Sequence, residues 1–331
     1  MIILKISLAN GLELWYNIMY NYGSAGFSMR IAVNKEQDGK TVLQVLKKEL
    51  LISSKMLTAL KKLPDGILVD GEHVTVRRIL REGEILTVAT EDREENENLV
   101  PTEMPLDIVF EDDDIILLNK PPMMPTHPSH GHFSDTLANG VCFHMLKKGD
   151  KPFVFRSVNR LDRNTSGLVL IAKNRLAASK LYSAMQKGLI KKNYIALLDG
   201  TLPSQSGRID TFIRRKGKSI ITREVCEELP DASRAVTDFE VLASDGSVTA
   251  VKASPLTGRT HQLRLHFSHL GAPILGDDLY GSVSDEIDRH ALHAASLSFP
   301  HPATGETVVF TAPIPDDMLK IAEKHNLIFE V

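Results

Sequence analysis

The stretch NRLDRNTSGLVLIAK, residues 159–173, sets a carboxylate between two arginines, follows it with a Thr-Ser-Gly turn, and then runs into an apolar segment. GLVLIAK (167–173) shows no polar alternation, so it reads as a buried strand. Asp162 stands just before that strand, and the flanking cations Arg160 and Arg163 favour its ionised form. Such a carboxylate suits a nucleophile or a base. Taken alone, the tripeptide fits an ordinary salt-bridged turn aspartate better.

Working outward, NRLAASKLYSAMQK (174–187) has helical spacing, with Asn174 as its N-cap and Gly188 as its stop. IILLNK (115–120) is a second buried strand. YIALLDG, AVTDFEVL and SVTAVKASP read as further strands, and THQLRLHFSHLG as a helix closed by Gly271. Strands with interspersed helices predict an α+β fold, a mixed and largely antiparallel sheet with flanking helices. Upstream, EDREENENLVPTEMP (91–105) is acidic, carries two prolines and reads as a linker. Before it, residues 39–62 show apolar positions at helical spacing, interrupted by Ser53 and Ser54 as an N-cap. ILVDG, HVTV and EILTVA follow as short strands, which makes 29–90 a small α+β domain. The expected organisation is an extension over 1–28 (disordered, or a mis-assigned start), a domain at 29–90, a linker at 91–105 and a main domain at 106–331.

Composition narrows the class. At 331 residues and 43% apolar, the chain has enough hydrophobic material for two globular domains. No run of 18 apolar residues occurs, and the N-terminus lacks the basic region and cleavage site of a signal peptide. Cys142 and Cys226 fit no disulfide or zinc spacing, and two buried reduced thiols are expected. The net charge of −3 is unevenly spread. Residues 91–115 balance at −10, whereas 29–90 balance at +3 and 116–331 at +4. Both folded parts are therefore mildly basic, as an RNA partner permits.

The longer string RLDRNTSGLVLIAK resembles the signature of the RluA/RluD family of pseudouridine synthases. IVFEDDDIILLNKPPMMPTHPS (108–129) is similar to that family's opening strand and Lys-Pro turn, and KKNYIALLDG (191–200) to its Lys-x-Tyr-x-Ala segment. TGRTHQLRLHFSHLGAPILGDDLYG (257–281) and RHALHAASLSFPHPATGE (289–306) match its later motifs in the expected order. The resemblance implies uridine-to-pseudouridine isomerisation in RNA, with Asp162 as the catalytic aspartate, Tyr194 as the active-site tyrosine and Arg264 as the cation paired with Asp162. Arg160, Asn159, Arg259, His261, Gln262 and Lys120 are the implied substrate contacts. Asn159 departs from the pattern, because the family carries histidine there.

The chemistry agrees with the residues. Moving uracil from its N1 to its C5 attachment needs no redox step, metal or nucleotide, so no cofactor is expected. Asp162 is able to attack the sugar, attack the base or take the 2′ proton, and the sequence does not choose. Six histidines lie between 261 and 301, but without a His-Glu-x-x-His pattern or a cysteine pair they predict packing rather than a metal site. No Gly-rich phosphate loop follows LNKPP.

Residues 39–88 resemble the small RNA-binding domain first seen in a small-subunit ribosomal protein, the S-four-like domain. Lys47, Lys48, Lys55, Lys61, Lys62, Arg77 and Arg78 would form its RNA-facing side. A cytoplasmic monomer acting on ribosomal RNA is expected. The alternatives are a transfer RNA enzyme of the same chemistry and a non-catalytic RNA-binding assembly factor.

Overall fold

A computed structural model describes residues 2–7, 13–23, 26–90, 99–149, 153–217, 219 and 221–329. Two sheets organise it. The smaller contains β1 (Ile2–Ser7), β2 (Glu13–Gly23), β3 (Gly26–Ala32), β4 (Ile67–Val69), β5 (Glu72–His73) and β6 (Ile85–Ala89), in the order β1-β2-β3-β6-β4-β5. Two strands thus stand where a disordered extension was expected over 1–28. They form an antiparallel meander onto the edge of β3.

The helical pattern of 39–62 is realised in pieces. A three-residue helix, α1 (Val42–Gln44), is closed by a Thr41/Gln44 capping box and runs directly into a π-helical turn, Val45–Glu49. After Leu51, in the left-handed region at φ 55°, α2 (Ser54–Leu60) starts on the predicted cap: Ser53 Oγ accepts from Met56 N at 3.2 Å. The bend at 50–53 lets both pieces turn Val42, Val45, Leu46, Met56, Leu57 and Leu60 onto one core.

The main sheet holds β7 (Ile108–Glu111), β8 (Ile115–Lys120), β9 (Ser166–Ala172), β10 (Lys191–Asp199), β11 (Ser206–Arg215), β12 (Arg223–Cys226), β13 (Ser233–Ser244), β14 (Val248–Pro255), β15 (Leu292–Pro300) and β16 (Thr307–Thr311). Its order is β12-β11-β13-β14-β10-β15-β9-β8-β7, with β16 beside the C-terminal half of β15. All pairs are antiparallel except β15 with β9. The predicted mixed, largely antiparallel α+β class is the observed one.

The apolar runs of β8 and β9 are continuous because helices cover both faces. On one face Ile116, Leu118, Val169 and Ile171 meet Leu137, Val141 and Met145 of α3 (Leu137–Lys147). On the other, Ile115, Leu117, Leu168 and Leu170 meet Ala177 and Leu181 of α4 (Arg175–Gln186). The Asn174 cap of α4 forms as predicted, with Oδ1 accepting from Ala177 N at 2.8 Å, and Gly188 follows at φ 67°. The remaining helices are α5 (Gln262–His269) and α6 (Asp316–Lys324).

The C-terminal part of the expected linker, 91–105, is packed against the main domain. Residues 91–98 lie outside the described residues, but 100–104 already lie on α3. Thr102 N donates to Asn139 O at 3.1 Å, Asn139 Nδ2 donates to Val100 O at 2.7 Å, and Met104 packs where a Cβ on Gly140 would sit. The small domain also docks on the large one. Ser179 Oγ, on α4, accepts from Ser53 N at 2.7 Å and donates to Leu51 O at 3.2 Å. Leu176 of α4 is buried in the small domain's own core, a contact that stabilises by about 1.5–3 kcal/mol. Of the two thiols, Cys142 is buried as expected, while Cys226 is only half-buried on the edge strand β12. No helix among the described residues is long and apolar enough to cross a membrane.

Candidate active site

The loop that carries Asp162 is tied down on both sides of it. Thr126 Oγ1 donates to Leu161 O at 2.9 Å. Lys120 Nζ donates to the carbonyls of Pro121, Met124 and Arg163 at 2.8, 2.8 and 3.1 Å. Arg289 Nη1 donates to Asn164 O at 3.2 Å, and its Nε and Nη2 are fixed by Asp317 of α6. His290 Nε2 and Thr165 Oγ1 are 2.7 Å apart, and His293 Nδ1 and Ser166 Oγ are 2.9 Å apart. The Thr-Ser of the turn is therefore held by the two histidines of RHALHAA, which explains why these distant segments occur together. Gly167 follows at φ 111°, where a Cβ would sit 2.3 Å from Ala294 O of β15. Only glycine lets β9 enter its parallel pairing there.

Amid these fixed neighbours the Asp162 side chain remains one-third exposed, facing a cavity of about 770 Å³. His261 Nε2 is 3.8 Å and Arg264 Nη1 is 3.9 Å from its Oδ2. Tyr194, on β10, is buried against the same cavity, and burial together with the Asp162 charge pushes its phenol well up, so it stays protonated. Among the described residues, Asp162 is the single carboxylate lining the cavity, against Arg160, Arg163, Lys192, Arg259 and Arg264. Such a surplus of positive charge in a cleft attracts a polyanion.

The structure revises the expected partner of Arg264. Its guanidinium, buried on α5, donates through Nε and Nη2 to both oxygens of Asp277 at 2.7 and 2.6 Å. Asp277 is fully buried and also accepts from the backbone N–H groups of Leu279 and Tyr280, and the Tyr280 ring lies 5.2 Å from the guanidinium carbon. Asp162 is thus a second, longer-range partner. Burial makes any unpaired charge costly, so the acid nearest in geometry takes the hydrogen bonds.

Three other expected substrate contacts are occupied elsewhere. Asn159 Nδ2 donates to Leu168 O at 2.9 Å while its Oδ1 accepts from Leu170 N at 2.8 Å. An amide has both the donor and the acceptor needed to clip the loop to β9. Gln262 accepts from Thr257 Oγ1 and Arg259 N and donates to Val236 O and Thr237 Oγ1. Lys120 is fully buried, and burial lowers its ammonium to about 7. The three carbonyls oppose that shift, since only the ammonium offers three donors. Asn159 and Gln262 line the cavity with polar groups already bonded to the protein, while Lys120 is buried behind the Asp162 loop.

His261 sits between the expected and the observed. It caps α5 in the left-handed region at φ 58°, its Nδ1 lies 2.8 Å from Tyr280 Oη, and its other nitrogen faces Asp162. Arg160 and Arg259 are exposed on the cavity rim, and Arg259 Nε donates to Arg234 O at 3.1 Å. Asp277, Tyr280, Met185 and Lys192 had no assigned role. Lys192 was legible as the lysine two residues before Tyr194, one face of one strand, and Asp277 as the acid in the LGDDLYG string.

In the small domain, Lys48, Lys61, Lys62 and Arg77 are exposed. Lys47 Nζ donates to Ser54 Oγ at 2.7 Å. Arg78 pairs with Glu84 at 2.6 Å and donates to Ile79 O, which takes it out of a free basic face. The Lys55 side chain lies outside the described residues.

A cleft with a partly exposed carboxylate among cations suits a polyanionic substrate. Comparisons with known proteins specify the family. Residues 114–269 match the family model described as RNA pseudouridylate synthase. A Bacillus subtilis protein, described as the uncharacterized RNA pseudouridine synthase YjbO, is 42% identical over 84% of this chain and 97% of its own length. The ribosomal large subunit pseudouridine synthase D of Vibrio vulnificus is 38% identical over 78% of this chain and 83% of its own. Among solved structures, the human RNA pseudouridylate synthase domain containing 1 is 27% identical, with a TM-score of 0.52 over 69% of this chain and 97% of that one. The human domain containing 4 protein shares the fold, with a TM-score of 0.56 over 66% of this chain and 93% of that one, at 23% identity. The chain belongs to the RNA pseudouridylate synthase family and is an RNA pseudouridine synthase.

Proposed function

We propose that this enzyme isomerises specific uridines of large-subunit ribosomal RNA, with Asp162 as the catalytic carboxylate and no cofactor. The observation that carries the reading is that Asp162 alone among the described residues lining the cavity bears a carboxylate, on a loop held at Leu161, Arg163 and Asn164 by hydrogen bonds. A group held in this way is preorganised for attack or proton transfer. Tyr194, protonated and buried beside it, offers a ring face on which uracil stacks while the glycosidic bond is broken and the base is turned. Arg264 steadies the Asp162 charge from 3.9 Å, with Asp277 keeping the guanidinium in place. The rim arginines Arg160 and Arg259 take backbone phosphates, as do the exposed lysines of the S-four-like domain at 29–90. Ribosomal RNA is favoured by the similarity to the ribosomal large subunit pseudouridine synthase D of Vibrio vulnificus.

The test is to map pseudouridines in ribosomal and transfer RNA from a strain lacking this protein, complemented with wild type or Asp162→Asn. Loss of large-subunit sites, restored by wild type only, is the expected result. Loss confined to transfer RNA would transfer the assignment there. Full restoration by Asp162→Asn would remove the carboxylate from the account.

A further inference from the structure

Lys192 belongs to β10, two residues before Tyr194, so both side chains leave the same face of the strand. It lines the active-site cavity and is half-buried. Its Nζ lies 3.7 Å from where a Cβ on Gly258 would stand, beside the 257–261 loop that leads into α5. Absence of a side chain at 258 keeps the ammonium open to the cavity. Among the described residues, no carboxylate or carbonyl pairs with it at hydrogen-bond distance, unlike Lys120, whose Nζ donates to three carbonyls, and Arg264, whose Nε and Nη2 are bonded to Asp277. Burial lowers its ammonium and no acidic neighbour raises it, whereas the Asp162 charge acts on Lys120, Tyr194, His261 and Arg264.

A partly desolvated cation without a counterion is unfavourable until an anion arrives. The arriving substrate carries one anion per nucleotide, and Lys192 lies on the Tyr194 wall of the cavity. We propose that Lys192 binds one backbone phosphate next to the target uridine, fixing the strand so that the base enters between Tyr194 and Asp162. This rests on the RNA-modifying reading of the same cavity and adds a specific contact to it. A charge-assisted hydrogen bond of this kind predicts about a ten- to hundred-fold contribution to affinity.

The test uses the full-length protein, with pentauridylate as the probe. Wild type, Lys192→Met and Lys192→Arg are compared over a salt series, with natural linkages and with one methylphosphonate, a neutral linkage, at each position in turn. Melting curves and pseudouridine formation on transcribed large-subunit ribosomal RNA are recorded alongside. Expected is a drop of at least tenfold in affinity for Lys192→Met, with the log Kd versus log salt slope smaller by about 0.7. Lys192→Arg should recover most of the loss. One neutral linkage should weaken wild type about tenfold and leave Lys192→Met unchanged. Indistinguishable affinities for wild type and Lys192→Met overturn the proposal, as do neutral linkages that cost both proteins alike. A loss confined to kcat on ribosomal RNA with an unchanged salt slope also overturns it and assigns Lys192 to the base. Wild-type turnover on ribosomal RNA in the same experiment separates these outcomes from failure of the enzyme assignment itself.

Discussion

Arg264 donates two hydrogen bonds to Asp277, at 2.7 and 2.6 Å, while its third nitrogen stays 3.9 Å from Asp162. One guanidinium thus joins a fully buried structural acid to the exposed catalytic candidate. Arg264→Met leaves Asp277 buried without its cation, and Asp277→Leu leaves Arg264 with only the exposed Asp278 at 3.3 Å and Asp162 at 3.9 Å. Each single variant should lose about 3–5 kcal/mol. The double variant, which removes both charges, should lose less than the sum by up to about 3 kcal/mol. Pseudouridine formation should be absent in the two variants without Arg264. Guanidinium unfolding and a turnover assay read both quantities, and additive stability losses would refute the pairing.

Asp162→Asn should behave differently. No side-chain hydrogen bond to Asp162 exists among the described residues, and its contacts at 3.8 and 3.9 Å are electrostatic. Removing the charge should therefore change stability by less than about 0.5 kcal/mol while abolishing turnover. Activity above a tenth of wild type with a normal melting curve would exclude it as the essential carboxylate.

Three buried histidines, the loop staples His290 and His293 and His266 on α5, predict acid lability. Burial lowers His290 to about 3, and His266 and His293 to about 4. Free histidine titrates near 6.5, so below that pH the unfolded chain binds protons that the folded chain refuses. Stability should be fully present above pH 6.5 and fall as pH drops toward 4, by up to about 4 kcal/mol per pH unit from these three groups. His325, raised by Asp245 and Glu286, has the opposite sign, but it acts above pH 6.5 and leaves the acid limb untouched. Melting temperatures from pH 8 to 4.5 check this. A flat profile, or an unchanged acid slope in His293→Asn, would contradict it.

For the small domain, replacing exposed Lys48, Lys61 and Lys62 with Glu should weaken RNA binding and flatten its salt dependence. The set of modified uridines should stay the same, because phosphate contacts position RNA without reading it. Sequencing pseudouridines made on protein-free large-subunit ribosomal RNA by wild type and the triple variant decides this. A changed set of sites would move specificity into residues 29–90.

Much of the site was local enough to read from the chain. The buried strands at 115–120 and 167–173, the Asn174 and Ser53 caps and the Asp162 turn follow from apolar periodicity and capping chemistry, which act over a few residues. The bend that splits 39–62 was not legible, because it depends on a shared core that neither half forms alone. Neither was the small domain's seat on α4, where Ser179 lies 126 residues beyond Ser53 and Leu176 joins the small domain's core. The same limit applies to charge pairing. Sequence placed Arg264 and Asp162 in one site by motif, yet only the fold brought Asp277 close enough to take the hydrogen bonds. Asn159, Gln262 and Lys120 were read as substrate contacts for the same reason: a polar side chain near a motif has no visible partner until the backbone groups around it are in place. Sequence determined which residues carry charge and where strands and helices begin. Tertiary structure decided which of those charges are consumed by the protein and which, like the Asp162 carboxylate and the Lys192 ammonium, are left without a hydrogen-bonded side-chain or carbonyl partner among the described residues, because hydrogen-bond satisfaction and desolvation are set by neighbours that are close in space and remote in the chain.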